Sequence, residues 1–301
     1  MAHCVVPAAE EILDRAFSVL DKGFVRLVDY LGGDDRIVQA ARVSYGEGTK
    51  SYREDAALID HLLRNEHTSP FEQVILTFHV KLPIFVARQW IRHRTARVNE
   101  VSGRYSVMKD EFYLPAPDAV ALQSKSNRQG RSAETLPVEE AKARISGMEA
   151  SQRAAYEEYA SLVDSGIARE LARIDLPLSL YTEWYWQIDL HNLFRFLQLR
   201  LDAHAQMEIR AYARVLLDIT RAVAPAACSS FENHLLGGTR FSAKEMVELK
   251  RRLTGQKPVT GQMPVAGQMP VAGQGPASEE IGLTGKSLER FEEKLRSGRQ
   301  I

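Results

Sequence analysis

Residues 72–83, EQVILTFHVKLP, alternate the apolar Leu76, Phe78, Val80 and Leu82 with Thr77, His79 and Lys81. A period of two is the mark of a strand buried on one face. Pro83 closes the run, and proline is well tolerated in the first turn of a following helix. The segment PIFVARQWIRHR therefore predicts a helix leaving the strand, with a basic run at its C-terminal end.

That basic run, RQWIRHRTARVNEVSGRYS at 88–106, sets five arginines and His93 around one acid, Glu100. The whole chain, by contrast, balances 39 Lys+Arg against 39 Asp+Glu. No global field steers such a protein toward nucleic acid or an anionic membrane. The run is either a solvated basic face or a local anion site. On a continuous helix Gln89, Arg92 and His93 share a face, and Arg88 and Arg92, one turn apart, repel by a few tenths of a kcal/mol unless an anion intervenes. Guanidinium groups meet phosphate oxygens in pairs, which lysine does not. Asn99, Ser102 and Gly103 predict a loop over 95–106, and backbone N–H groups there can complete a phosphate cradle.

Elsewhere, helical spacing appears in DDRIVQAARVSYG (34–46) and REDAALIDHLLRN (53–65), each with acids near its start. EFYLP (111–115) reads as extended, and the polar stretch 116–137 as an exposed loop. From Val138 onward the sequence reads as helical almost throughout, and 180–224 predicts two long helices or one bent near Asp202. Residues 255–278 repeat a hexad four times, GQKPVT-GQMPVA-GQMPVA-GQGPAS. Proline and glycine in nearly every copy oppose helix and packed strand, so a flexible or polyproline-like linker is expected. KSLERFEEKLR (286–296) predicts a short terminal helix.

Two distant cysteines, Cys4 and Cys228, support neither a disulfide framework nor a cysteine-rich zinc site, and suggest a reducing compartment. The N-terminal stretch meets acids too early for a secretory segment, and no apolar run approaches the ~20 residues of a membrane span. A cytoplasmic location is expected. No GxGxxG fingerprint follows a strand, so a dinucleotide-binding dehydrogenase lacks its main signal.

RHRTARVNEVS satisfies Arg-His-Arg, seven residues, then Ser, and NEVSGRYS follows it. The pattern resembles the signature and substrate loop of the flavin-dependent thymidylate synthases. The similarity extends, in family order, through ARVSYG, HTSPFEQVILTFHVKLPIFVARQWIRHR, EFYLP, ARELARIDLPLSLYTEWYW and FLQLRLDAHAQMEIRAYA. It covers roughly residues 22–235 and leaves out the hexads.

The resemblance implies reductive methylation of dUMP to dTMP, with 5,10-methylenetetrahydrofolate giving the carbon and NADPH-reduced FAD the hydride. It implies an FAD-contacting triplet of Arg92, His93 and Arg94, with Ser69 near His67, Glu100, and a segment bearing Asp189, His191 and Arg195. For dUMP it implies Gln89, Trp90, Ile91 and Arg92 from the helix, Glu100, Val101, Ser102, Gly103 and Arg104 from the loop, and Arg173. Arg200 resembles the family arginine that favours ionisation at uracil N3. Charge there is conjugated to C5, the carbon that must attack, and a guanidinium stabilises it. At DLHNLFR the chain departs from the Asn-x-Arg-x-x-x-Asn pattern of many members. Phosphate or carbonyl binding suits Ser102 better than nucleophilic attack, because no orienting base is evident.

His204 could join Asp202 at a metal, but a DxH pair on a helix does not share a face, so His204 reads as a hydrogen-bonded structural histidine and no metal is expected. Trp184, Tyr185 and Trp186 read as core or subunit contacts. A metal-dependent phosphohydrolase built on His67, His93, His191, Asp202 and His204, and a nucleic-acid-binding module built on the arginine run, are the rival classes. The fold implied by the resemblance is α+β: a small, mostly antiparallel sheet with long flanking helices, assembled as a homotetramer with sites between subunits. The division expected is an extension at 1–21, a catalytic domain at 22–235, a helical end at 236–254, the hexad linker at 255–278 and a tail at 279–301. No nucleic acid or membrane partner is expected.

Overall fold

The computed structural model describes residues 5–44, 52–125, 129–254, 283 and 285–297. Cys4, the end of the ARVSYG block and the hexads at 255–278 lie outside them. The strands are β1 (Ala16–Val19), β2 (Gly23–Leu31), β3 (Ile75–Pro83), β4 (Arg97–Glu100), β5 (Ala121–Gln123), β6 (Arg131–Thr135) and β7 (Tyr181–Asp189). The helices are α1 (Pro7–Glu10), α2 (Asp34–Ala41), α3 (Tyr52–Arg64), α4 (Ile84–Trp90), α5 (Val138–Asp164), α6 (Arg169–Ala172), α7 (Leu190–Arg200), α8 (Met207–Val223), α9 (Pro225–Phe231), α10 (Ala243–Thr254) and α11 (Gly285–Ser297). The chain divides into two compact units, one up to His234 and one from Leu235.

The first unit is α+β. Five strands in the order β1-β2-β3-β7-β4 make one antiparallel sheet. β3 behaves as its alternation requires: Leu76, Phe78, Val80 and Leu82 are fully buried. The register sets Leu76, Phe78 and Val80 opposite Ile188, Trp186 and Trp184, so one face is continuous and apolar. Trp90 of α4 lies against that face, its ring 5.6 Å from Trp184, 5.1 Å from Trp186, 4.8 Å from Phe196 and 5.9 Å from Tyr212. Trp184 and Trp186 are thus core residues, as expected.

Close packing also explains Gly23. A Cβ there would lie 2.0 Å from the Tyr212 hydroxyl, which donates to the Lys81 carbonyl at 2.7 Å. Only a hydrogen fits between β2 and α8 at this point.

Four sequence expectations need correction. Residues 181–189 form a strand, not a helix. Trp184, Trp186 and Ile188 are buried while Glu183, Tyr185 and Gln187 are less so, a period of two that flanking helical spacing masked. The break near Asp202 is correct, since α7 ends at Arg200 and α8 begins at Met207. Residues 97–100 form β4 rather than loop, because pairing such as Val98 with Trp186 satisfies their backbone groups against β7. The stretch 116–137 contains the β5–β6 hairpin. Finally, α4 stops at Trp90, so Arg92 and His93 do not continue its face.

The second unit contains α10 and α11. Ser242 and Glu245 form a capping box, with Ser242 N donating to Glu245 Oε2 at 2.6 Å and Glu245 N to Ser242 Oγ at 3.3 Å. Lys294 Nζ donates to both oxygens of Glu245 at 2.7 and 2.9 Å, and Arg252 to Glu292 at 2.6 Å. Phe291 is fully buried beneath these pairs.

Candidate active site

Pro83 takes an extended conformation at φ −66°, ψ 145°, and hands β3 directly to α4. α4 fixes Trp90 in the core, so its indole is enclosed and only its backbone can face a ligand. Past the helix end His93 N–H still donates to the Trp90 carbonyl at 3.0 Å, which curls the chain back. His93 then meets α7: its ring stands edge-on to Phe196 at 4.8 Å, and its Nε2 accepts from Arg200 Nε at 3.1 Å. Arg200 Nη2 donates to the Gln89 carbonyl at 3.0 Å. Gln89, in turn, gives its side-chain amide to Gln206 Oε1. Three residues expected in the site, Gln89, His93 and Arg200, therefore form one network.

Its electrostatics follow from the contacts. Burial, then the charges of Arg200 and Arg195, bring the His93 pKa down to about 4. Arg200 has only donors, so His93 Nε2 must be unprotonated and the neutral ring carries its proton on Nδ1. Burial lowers the pKa of Arg200 itself. Two of the guanidinium N–H donors are committed to protein, and no further bond from Arg200 is made among the described residues.

Glu100 ends β4 opposite Trp184, which puts it on the helix-covered side of the sheet. The buried hydroxyl of Thr182 donates to one of its oxygens at 2.6 Å. Val101 N–H then pairs with the Glu183 carbonyl at 2.9 Å, and the chain turns at Ser102, whose carbonyl accepts from Tyr105 and Ser106 N–H groups at 3.1 Å each. Gly103 is buried against Met108 and Arg173; a Cβ there would lie 2.8 Å from the Met108 sulfur and 3.2 Å from Arg173 Cδ. Tyr159 Oη accepts from Met108 N–H and Tyr156 Oη donates to the Met108 carbonyl, each at 2.9 Å. Arg104 pairs with Glu170 at 3.1 Å. Ser102 Oγ accepts from Arg104 N–H at 3.4 Å, and no bond joins it to His93 among the described residues.

Two groupings thus emerge. One contains Gln89, His93 and Arg200; the other contains Ser102, Gly103, Arg104 and Arg173. Among the described residues no hydrogen bond or ion pair connects them. Ile91 is exposed between α4 and His93. Arg88, Arg92, Arg94, Arg97, Arg173 and Arg195 form no ion pair with a described residue.

The expected cofactor residues lie along α7. Asp189 caps that helix, accepting from Asn192 N–H at 2.9 Å and from the Asn192 side chain at 2.8 Å. His191 and Arg195 follow one turn apart on one side. Ser69 is exposed on a turn tied to the same helix, since Phe71 packs on Phe194 and Leu190 N–H donates to the Val74 carbonyl at 2.8 Å.

His204 Nδ1 meets Asp202 Oδ1 at 2.9 Å, a pairing that helical spacing argued against and that the turn between α7 and α8 allows. The five groups of a metal phosphohydrolase are not brought together: among the described residues no three His, Cys, Asp or Glu side chains converge. Cys228 is buried, and burial pushes its thiol well up from the ordinary range.

Sequence reasoning missed Gln206, Thr182 and the Tyr156–Tyr159 pair. Gln206 sits in the quoted DAHAQ block, where His204 drew attention instead. Thr182 becomes visible only once 181–189 is read as a strand.

Comparison with known proteins bears on these groupings. The family model described as "Thymidylate synthase complementing protein" matches residues 26–226. A second, "Thymidylate synthase ThyX C-terminal domain", matches residues 239–301, so the family likeness extends over the hexads that the sequence reading left outside it. A flavin-dependent thymidylate synthase of Treponema pallidum is 60% identical over 300 residues, covering 100% of this chain and 91% of its own. One from Thermus thermophilus is 58% identical over 236 residues, 78% of this chain and 85% of its own. Among solved structures, the UMP/dUMP methylase PolB of Streptomyces cacaoi bound with 5-Br dUMP superposes with a TM-score of 0.66 at 32% identity, covering 73% of this chain and 98% of that one.

Proposed function

The chain belongs to the flavin-dependent thymidylate synthase family, and from that premise we propose that it converts dUMP to dTMP by reductive methylation. The carbon comes from 5,10-methylenetetrahydrofolate and the reducing equivalents from NADPH through FAD. The observation that carries this reading is Arg200, anchored through Nε to His93 and through Nη2 to the Gln89 carbonyl. A fixed cation with donors to spare can meet N3 and a flanking carbonyl of uracil. It stabilises negative charge there, and conjugation passes that charge to C5. Because His93 is neutral at physiological pH, it orients Arg200 without competing for the anion.

The residues fit FAD. Arg92, Arg94 and Arg195, without an ion pair among the described residues, present with Ser69 and His191 the donors that a pyrophosphate and ribose require. Asp189 serves through the α7 cap and Glu100 through the oxygen that Thr182 does not hold. Bound FAD supplies the hydride chemistry. Gln89, Glu100, the backbone at Trp90, Ile91 and Val101, and the corner of Ser102, Gly103, Arg104 and Arg173 hold the nucleotide, with Arg92 between the two ligands.

The assembly is a homotetramer with sites between subunits, a reading that rests on the family resemblance. Residues 22–235 carry the catalytic part, and the location is cytoplasmic. The test is the visible spectrum of the purified protein together with dTMP formation. Flavin absorption that bleaches with NADPH, and dTMP made from dUMP and 5,10-methylenetetrahydrofolate, are expected. A protein that is colourless and cannot be reconstituted with FAD would overturn the reading.

A further inference from the structure

Behind the turn joining α7 to α8 lies an open cavity of about 660 Å³, walled by the β5–β6 hairpin, residues 203–207 and Arg210. Arg131, Arg210 and His204 line it, against a single lining acid, Asp118. Arg131 is committed to Glu208, whose side chain is 1% exposed, and to the Ala119 carbonyl at 3.2 Å. Arg210 reaches the Ala203 carbonyl at 3.1 Å and no acid at bonding distance among the described residues. Burial, then the charges of Arg214 and Arg131, lower its pKa, and Asp202, already bonded to His204, offsets them. An added anion would relieve that crowding.

The rest of the wall is mixed. Ala121, Leu122 and Ala133 offer apolar contact to a ring, and Gln123, Ser132 and Thr135 beside them offer hydrogen-bonding groups. Gln206 caps α8 without a side-chain bond to its first turn, because its side chain is turned to Gln89. Gln206 and Met207, at the N-terminal end of α8, line the cavity. Gln206 also belongs to both places: it lines the cavity and holds Gln89, whose carbonyl Arg200 grips. A ligand reacting beside Arg200 could lodge its far end here if that end were a ring followed by carboxylates.

We propose that this cavity holds the p-aminobenzoyl-glutamate tail of the folate carbon donor, with Arg210 meeting a glutamate carboxylate. The inference rests on the preceding reading that 5,10-methylenetetrahydrofolate is the donor. Its probe is p-aminobenzoyl-triglutamate, which lacks the pterin and any transferable carbon, titrated calorimetrically into the flavin-loaded enzyme. 2′-Phospho-ADP-ribose, the non-reacting end of NADPH, is titrated alongside. The tail compound should bind the wild type and bind at least tenfold more weakly to Arg210→Gln and to the cavity-filling Ala133→Trp. The KM for the carbon donor should rise by a similar factor, with flavin content and dUMP affinity unchanged. No binding to the wild type, equal binding to both variants, or displacement of the tail compound by 2′-phospho-ADP-ribose would overturn the assignment. Absence of dTMP formation by the wild type marks failure of the functional reading itself, whereas dTMP formed with an unchanged donor KM in both variants removes only the tail site.

Discussion

Arg200 Nε donates to His93 Nε2 across 3.1 Å, linking residues 107 positions apart. The bond requires the imidazole to be neutral and its proton to sit on Nδ1. Charging His93 would break it and set two cations side by side.

A pH dependence follows. His93 titrates near pH 4 in the folded chain against an ordinary value of 6.5. Between those values the unfolded chain binds the extra proton, so this residue's contribution to stability is present above about pH 6.5 and lost as pH falls toward 4. Denaturant midpoints at pH 7 and pH 4.5 should therefore converge more closely in His93→Gln than in the wild type. An NMR titration showing His93 protonated at pH 6 would contradict the structure.

Arg200→Ala should retain flavin and lose dTMP turnover by roughly 10²–10³-fold, the scale of removing one donor aimed at developing charge. Arg200→Lys should not restore it, because an ammonium cannot hold His93 and the Gln89 carbonyl in the same fork. Single-turnover assays of dTMP formation measure both.

Asp189 offers a separation of roles. Asp189→Ala removes the α7 cap and should cost about 1 kcal/mol in chemical denaturation. Asp189→Ser keeps a capping oxygen and should recover most of that stability. Flavin affinity that falls in both variants alike would assign Asp189 to the cofactor as well as to the helix.

Gly23→Ala forces a methyl group toward the Tyr212 hydroxyl and toward the Lys81 and Val19 carbonyls, each 2.8 Å from the new carbon. Overpacking of this kind costs about 1–3 kcal/mol. Tyr212→Phe in the same chain should recover part of the loss and no more, since the two carbonyls remain. A thermal-denaturation cycle over the four proteins reads the coupling.

Deleting residues 255–301 removes Phe291 and Lys294 from α10. dTMP formation should stay within twofold of the full chain, while circular dichroism should show helix lost beyond the deleted α11 itself. Abolished catalysis would assign the C-terminal region a part in the reaction.

How much of this was legible beforehand depends on the range over which each feature is encoded. The alternation of Leu76, Phe78, Val80 and Leu82, the helices at 34 and 53, the break near Asp202 and the terminal helix at 286 are written in neighbouring residues, because backbone period and side-chain burial are coupled locally. The Arg-His-Arg run and its companion blocks were sufficient to indicate the family. What they could not state was which groups meet. β4 forms because β7 satisfies its N–H and C=O groups, and β7 itself was hidden by helical spacing on either side. The meetings of Arg200 with His93 and of Gln89 with Gln206 arise because Trp90, locked among Trp184, Trp186, Phe196 and Tyr212, pins α4 against α7 and α8. Residue types and local periods are properties of the chain; the pairing of polar atoms a hundred residues apart is a property of close packing, which only the folded core can impose.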